Sequence, residues 1–298
     1  MSLELRPLSD ALGAEVLGID MSSQLADTVV ADIRAAWLKY NILLFREVDW
    51  TPAQHVTFTR RFGDLHIMPS LANEEPTNHP DHPEIMVVSN VKRNGLPIGL
   101  RRAGWGWHSD GEDKQLPNMG SMLHALQVPT GCGDTAFANT YKAYETLDPG
   151  IRLRIEGKLG RFSRIERHNH NYPDLPPLTE EEKAGRPDVW HPVTRTHPET
   201  GRTALFIGRW AVEIEGIPKA EGEGLIEKLK THAVKPEFTY THRWQAGDVI
   251  LWDNRCTQHC ALPFDDETYD RHMQRTTLEG DTPYYETLGG EKILSYVT

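Results

Sequence analysis

The stretch Gly247-Asp248-Val249-Ile250-Leu251-Trp252-Asp253-Asn254-Arg255, with His259 four residues further on, holds the clearest local pattern in the chain. Gly247-Asp248 reads as a turn. Val249 to Trp252 is an apolar run too short for a helix and suited to a buried strand, and a polar Asp-Asn-Arg turn leads to a histidine at the strand's exit. The same texture recurs on the N-terminal side: Glu84 to Asn90, Gly120 to Val128, Asp134 to Asn139 and Ala204 to Ile207 are short strand-like runs punctuated by Gly, Pro and Asp. Such spacing predicts an antiparallel sandwich or jelly roll.

Helices are expected at three places. Gln24 to Lys39 sets Val29, Ile33 and Trp37 at helical spacing, Thr51 caps a second helix that Gly63 stops, and Glu221 to Ala233 puts Leu225, Ile226 and Leu229 on one face. Between the first two, Asn41 to Arg46 reads as a buried strand. Residues 161–200 are rich in His, Pro, Glu and Asp with little periodicity, and are expected to be a lid-like insertion over one end of the sandwich. With no repeat and no linker, the simplest organisation is a single domain, 1–298, mainly β with flanking helices.

The bulk properties exclude several function classes. A 298-residue chain with 38% hydrophobic residues can bury a substantial core, and a formal net charge of -11 is the wrong sign for binding nucleic acid or an anionic membrane. No apolar run approaches the ~20 residues needed to span a bilayer, and Met1 to Asp10 lacks the pattern of a secretory signal. Three cysteines, Cys132, Cys256 and Cys260, suit reduced thiols in a cytoplasmic protein. Cys256, His259 and Cys260 raise a zinc cluster, but no second Cys/His pair has the matching spacing.

The triplet His108-Ser109-Asp110 offers an imidazole and a carboxylate two residues apart, which an extended strand would project from one face. Alone this is weak: His79-Pro80-Asp81 has the same spacing, and His82-Pro83-Glu84 and His197-Pro198-Glu199 come close. Those three carry a central proline and read as solvated turns. His259 would supply a third ligand from across a barrel. Further on, Arg271 and Arg275 alternate with His272 and Gln274, so both arginines fall on one strand face. An inward guanidinium cannot shed its charge and must meet an anion.

Trp107-His108-Ser109-Asp110, Gly131-Cys132-Gly133-Asp134-Thr135, Gly247 to His259 and Arg271 to Arg275, in this order, resemble the motifs of the taurine dioxygenase and 2,4-dichlorophenoxyacetate dioxygenase family of iron(II)/2-oxoglutarate enzymes. The resemblance runs from Leu12-Gly13-Ala14-Glu15 to Gly280-Asp281. It implies a double-stranded β-helix, or cupin-like jelly roll. It implies Fe(II) held by His108, Asp110 and His259, with 2-oxoglutarate and O2 as co-substrates. Thr135 and Arg271 would hold the distal carboxylate of 2-oxoglutarate, and Arg275 would lie near the anionic group of the substrate or co-substrate. The implied reaction hydroxylates a small anionic molecule while 2-oxoglutarate is decarboxylated to succinate. A carboxylate at Asp110 favours hydroxylation over halogenation, because a small residue there would free a position for halide. A homo-oligomer, dimer or tetramer, is also implied.

Taurine fits poorly as substrate. Met68 and Leu71 stand where the taurine enzymes place a His and a Tyr that touch it, and Gly104 aligns near their asparagine. An anionic substrate with a more apolar body, a carboxylate, sulfonate or aryloxy acid, follows, with Trp105 and Trp107 as candidate walls. Arg101-Arg102 and the His168/His170 pair read as solvated loops. Two other classes remain open: a non-catalytic jelly roll whose triad holds a structural ion, and a hydrolase that activates water with the same ligands.

Overall fold

The structure, a computed structural model, describes residues 3–68, 77–173 and 175–298. Its centre is an eight-stranded sheet in the order Glu4–Pro7, Ala14–Leu17, Ile42–Phe45, Val249–Asp253, Gly120–Gln127, His272–Leu278, His82–Ser89, Asn78–His79. Only the Ala14–Leu17/Ile42–Phe45 pair is parallel. A smaller antiparallel sheet, Thr239–His242, Thr135–Asn139, Thr257–Ala261, faces it, and the two make the jelly roll.

Alternation along the central strands explains why their sequences read as unbroken apolar runs. Ile42, Leu44, Ile250, Trp252, Leu123, Ala125 and Met273 point between the sheets, where they meet Phe137 of the smaller sheet. Leu43, Phe45, Val249, Leu251 and Met122 point the other way, onto Ile33, Trp37, Val56, Phe58 and Phe62. Both faces are covered, so both sets of positions must be apolar. The covering helices are Asp27–Tyr40 and Pro52–Thr59; Thr51 caps the second as expected, and Gln54 completes a capping box with it. The second helix ends at Thr59, before the expected Gly63.

The sheet has no room at Gly120. An added Cβ there would lie 2.6 Å from the Trp37 ring and 2.8 Å from the Trp252 carbonyl oxygen. Gly120→Ala is therefore expected to destabilise the protein by about 1–3 kcal/mol through overpacking, read as a lower urea midpoint with an unchanged slope. A midpoint equal to wild type would show that the helix can move off the sheet freely.

Residues 161–200 are more ordered than their composition suggested. They include the helices Arg164–Asn171 and Glu180–Ala184 and the strands Val189–Pro192 and Thr194–Thr196. Val189–Pro192 pairs with Leu159–Phe162 in a second, four-stranded sheet completed by Ala211–Ile214 and Tyr296–Val297. Its apolar residues, with Phe206, Trp210, Leu225, Ile226 and Leu229, form a separate buried cluster under the helix Lys219–Ala233. His168 is not a loop residue as expected: it is buried in a helix, and its Nε2 bonds the Pro176 carbonyl at 3.0 Å. No described helix is long and apolar enough to cross a membrane.

Candidate active site

His108, Asp110 and His259 offer ligand atoms that all lie within 4.8 Å of one another, buried between the two sheets. Their convergence has a specific cause. The His108 N–H donates to the His259 carbonyl at 3.1 Å and the His259 N–H returns a bond to His108 at 2.8 Å, so His108 joins the smaller sheet. The Ser109 hydroxyl donates to the Thr257 carbonyl at 2.8 Å, and the Asp110 N–H donates to Asn254 Oδ1 at 3.2 Å. The triplet is thus stapled to the hairpin that carries His259. Only His108 is in strand pairing; Asp110 already lies in a turn, and His259 sits within the strand Thr257–Ala261 rather than at the exit of Val249–Asp253.

The donor set is in the form a divalent cation needs. Burial pushes His259 down to about 4, helped by Arg275 and Arg209 and opposed by Asp110. His108 is held well below its usual value by burial, then by His259. Its Nδ1 faces the Gly106 carbonyl at 2.8 Å, which sets the proton on Nδ1 and leaves the Nε2 lone pair to the site. Burial raises the Asp110 carboxyl, but Arg275, His259 and His108 outweigh it and hold the group well below the carboxylate range. Two neutral imidazoles and an ionised carboxylate gathered at one buried point fit the donor set of non-haem iron.

Three residues support the site: Ser121 and Glu112 carry no signature in the sequence, and Asn254 lies in the polar turn before His259 with nothing there to mark what it does. Ser121 donates to Asp110 Oδ2 at 2.7 Å. Asn254 Oδ1 also accepts from Trp252 Nε1 at 2.8 Å, and that bond locks the amide that receives the Asp110 N–H. Glu112 clamps two segments, accepting from the Ser109 and Trp210 N–H groups at 3.1 Å each. Gly208 must be glycine for this clamp, since a Cβ would overlap the Glu112 carboxylate. Ser121→Ala is expected to weaken Mn(II) affinity about 10–100-fold while leaving the fold intact. An unchanged affinity would mean that Asp110 needs no support on Oδ2.

The register of the His272–Leu278 strand turns Arg275 inward: it pairs with Leu123, whose side chain lies between the sheets. Its guanidinium donates to Asp110 Oδ1 at 2.9 Å. Arg271 sits just before the strand, buried, with its Nε unpartnered and no carboxylate oxygen within 4.0 Å among the described residues. Burial lowers it to about 10, and Asp134 is the one charge that opposes this. Thr135 is buried on the same strand face as Phe137, and its hydroxyl accepts from Trp244 Nε1 at 3.0 Å, which leaves its own proton free to donate. Such an isolated inward cation is suited to a carboxylate.

A narrow cleft open to solvent reaches Arg271, lined by Val88, Leu100, Trp105, Leu262 and Phe264 among others. Trp105 is partly exposed on its wall, with the Arg102 guanidinium 5.4 Å from its ring centre. Met68 is half-buried, and its carbonyl accepts from Asn78 Nδ2 at 2.7 Å. Leu71 lies outside the described residues. Arg101 and Arg102 are not simply solvated, since both pair with Asp266, at 2.7 and 2.9 Å. The zinc reading of Cys256, His259 and Cys260 also falls: Cys256 groups instead with His197 and Asp253. There His197, buried rather than in a solvated turn, meets Asp253 at 3.0 Å, and the Arg255 guanidinium occupies the carboxylate at 2.7 Å. The Asp253 carboxylate accepts four bonds, three from Arg255 and one from His197, and has little left for a cation, whereas among the described residues the Asp110 carboxylate accepts two, from Arg275 and Ser121.

The family described as Taurine catabolism dioxygenase TauD, TfdA family matches residues 4–277. The chain belongs to this family. It is 33% identical over 292 residues, 96% of this chain and 98% of the relative, to a (S)-phenoxypropionate/alpha-ketoglutarate-dioxygenase of Sphingobium herbicidovorans. It is 34% identical over 289 residues, 94% of this chain and 99% of the relative, to an alpha-ketoglutarate-dependent 2,4-dichlorophenoxyacetate dioxygenase of Cupriavidus pinatubonensis. A crystal structure of a taurine dioxygenase from Burkholderia xenovorans superposes with a TM-score of 0.80 at 33% identity, over 100% of this chain and 97% of that one. The jelly-roll architecture derived above is that of its family.

Proposed function

We propose that this chain is a non-haem Fe(II)- and 2-oxoglutarate-dependent dioxygenase that hydroxylates a small anionic organic substrate of carboxylate, sulfonate or aryloxy acid type. Where the new hydroxyl falls on a carbon bearing a heteroatom, the product fragments. The observation that carries the reading is the presence in one fold of two features: three converging buried donors, His108, Asp110 and His259, and a buried Arg271 guanidinium with no carboxylate oxygen within 4.0 Å among the described residues. A structural ion or a water-activating hydrolase needs the first and has no use for the second.

In this reading His108, Asp110 and His259 hold the iron, and Arg271 with the Thr135 hydroxyl grips the distal carboxylate of 2-oxoglutarate. The bound iron would supply dioxygen activation coupled to oxidative decarboxylation of 2-oxoglutarate to succinate and carbon dioxide. The chain's part is placement and the exclusion of water. Trp105 and Met68, with Leu71, are assigned to the substrate's side of the pocket, and Arg275 to its anionic group. The phenoxy-acid activities named for the two relatives support an acid with an apolar body. We further read 1–298 as one catalytic domain with 161–200 as its lid-like portion, acting in the cytoplasm as a homo-oligomer.

Anaerobic addition of Fe(II) and 2-oxoglutarate is expected to produce a weak visible charge-transfer band, and air is expected to bring substrate-stimulated succinate release. A protein that binds Fe(II) without the band and releases no succinate would be one of the two alternatives instead.

A further inference from the structure

Arg275 is not the last cation near Asp110. Lys114 lies in the turn that follows the His108–Asp110 triplet, its N–H bonded to the Gly111 carbonyl at 2.9 Å. Its ammonium meets His66 Nε2 at 3.0 Å, and among the described residues no carboxylate oxygen comes within 4.0 Å of it. The neighbouring carboxylate is already taken: Asp113 Oδ2 accepts from Arg164 at 3.1 Å. An ammonium has three donors, so a half-buried one with a single imidazole partner is poorly satisfied by the protein alone.

His66 ties this lysine to the site. Its N–H donates to the Thr277 carbonyl at 2.8 Å, which holds it against the strand that carries Arg275. Burial pushes the imidazole down to about 4, then Lys114 and Arg275 add to the effect and Asp110 opposes it. His66 is thus neutral at pH 7, with Nε2 accepting from the ammonium. Burial also lowers Lys114, against Asp113 and Asp110, with Arg275 again acting as a like charge. Lys114, Arg275, His66 and Asp110 therefore form one electrostatic group.

Charge balance gives that group a meaning. Asp110 is the carboxylate paired with Arg275, and in the oxygenase reading its charge goes to the metal. With a divalent cation and 2-oxoglutarate in place, Arg271, Arg275 and Lys114 leave the site with a surplus of about two positive charges, in a half-buried setting where such charges interact strongly. A monoanion cancels part of this surplus. A dianion cancels it.

We propose that Lys114, beside His66, is a specificity-determining residue that binds a second anionic group of the substrate, so that the preferred substrate is a small dianion with one group on Arg275 and the other on Lys114. The inference rests on the oxygenase reading and deepens it. The probes are phenoxyacetate and its three ring-carboxylated isomers, titrated anaerobically into the Fe(II)/2-oxoglutarate enzyme and followed by perturbation of its visible band. Wild type is expected to bind at least one dianion about tenfold or more tighter than phenoxyacetate. In Lys114→Met that preference is expected to fall about 10–100-fold, and Lys114→Arg should restore much of it.

A dianion preference that is absent from wild type, or equal in Lys114→Met, overturns the assignment. So does a Lys114→Met protein that forms no band, because the lysine would then serve the metal or the co-substrate. A wild-type enzyme without the band would sink the oxygenase reading itself, and this inference with it.

Discussion

Replacing His259 by alanine is expected to abolish both the Fe(II)/2-oxoglutarate band and succinate release. The loss should exceed the about 10–100-fold that removal of a merely supporting hydrogen bond costs a metal site. The fold gives this substitution a clean interpretation. The two backbone bonds that couple His259 to His108 involve no side chain, so the triplet stays stapled to the hairpin. Asp110 keeps its bonds from Ser121 and Arg275. What disappears is one of three donors, together with an imidazole that lies against Trp252, 4.8 Å between ring centres. His197→Ala is the matched control. It removes another buried histidine from a His-Asp-Cys group, but one whose Asp253 is neutralised by Arg255. It should lower stability and leave Mn(II) affinity unchanged. If His259→Ala still bound Mn(II) like wild type, the triad would not be the metal site.

These two histidines also mark how far the sequence could be read. The convergence of His259 on His108 and Asp110 was legible because it follows a turn, a buried strand and a polar turn, a pattern that forces the chain back across the core. His197 looked like a solvated turn residue, since His-Pro-Glu carries every local sign of one. Its burial comes from Asp253 and Arg255, far away along the chain, and no local window contains them. The same holds for Ser121 and Glu112, and for what Asn254 does within the polar turn. Each acts through a hydrogen bond whose partner is fixed by tertiary packing, and serine, asparagine and glutamate are too common for their presence to signal it. Period-two alternation, by contrast, carries its own evidence. The inward facing of Arg275 follows from the register with Leu123, and its spacing from Arg271 was enough to foresee it.

Residues 161–200 were opaque for a different reason. Their strands are three or four residues long and their first helix is Arg164–Asn171, nearly all polar, so neither the helical nor the strand period has room to appear. Order there is imposed by the pairing of Val189–Pro192 with Leu159–Phe162 and by the cluster around Phe206 and Trp210.

Arg271→Met should have two effects of opposite sign. A buried guanidinium without a carboxylate costs the folded protein free energy, and its depressed pKa, at about 10, reflects the same penalty. Exchanging it for an apolar side chain of similar length is expected to stabilise the ligand-free protein by about 1–4 kcal/mol. For a chain of this size each kcal/mol raises Tm by about 2–4 °C. The same substitution removes the charge-assisted grip on 2-oxoglutarate, and the concentration needed for half-maximal succinate release should rise about 100-fold or more. Wild type should gain Tm when 2-oxoglutarate and Mn(II) are added, and the variant should gain far less, since only a ligand that binds the folded state stabilises it. The two measurements separate a co-substrate site from a structural one. A structural arginine would lose stability on replacement and leave the 2-oxoglutarate requirement where it was, whereas a residue kept unpaired for an incoming carboxylate gives up function and gains stability.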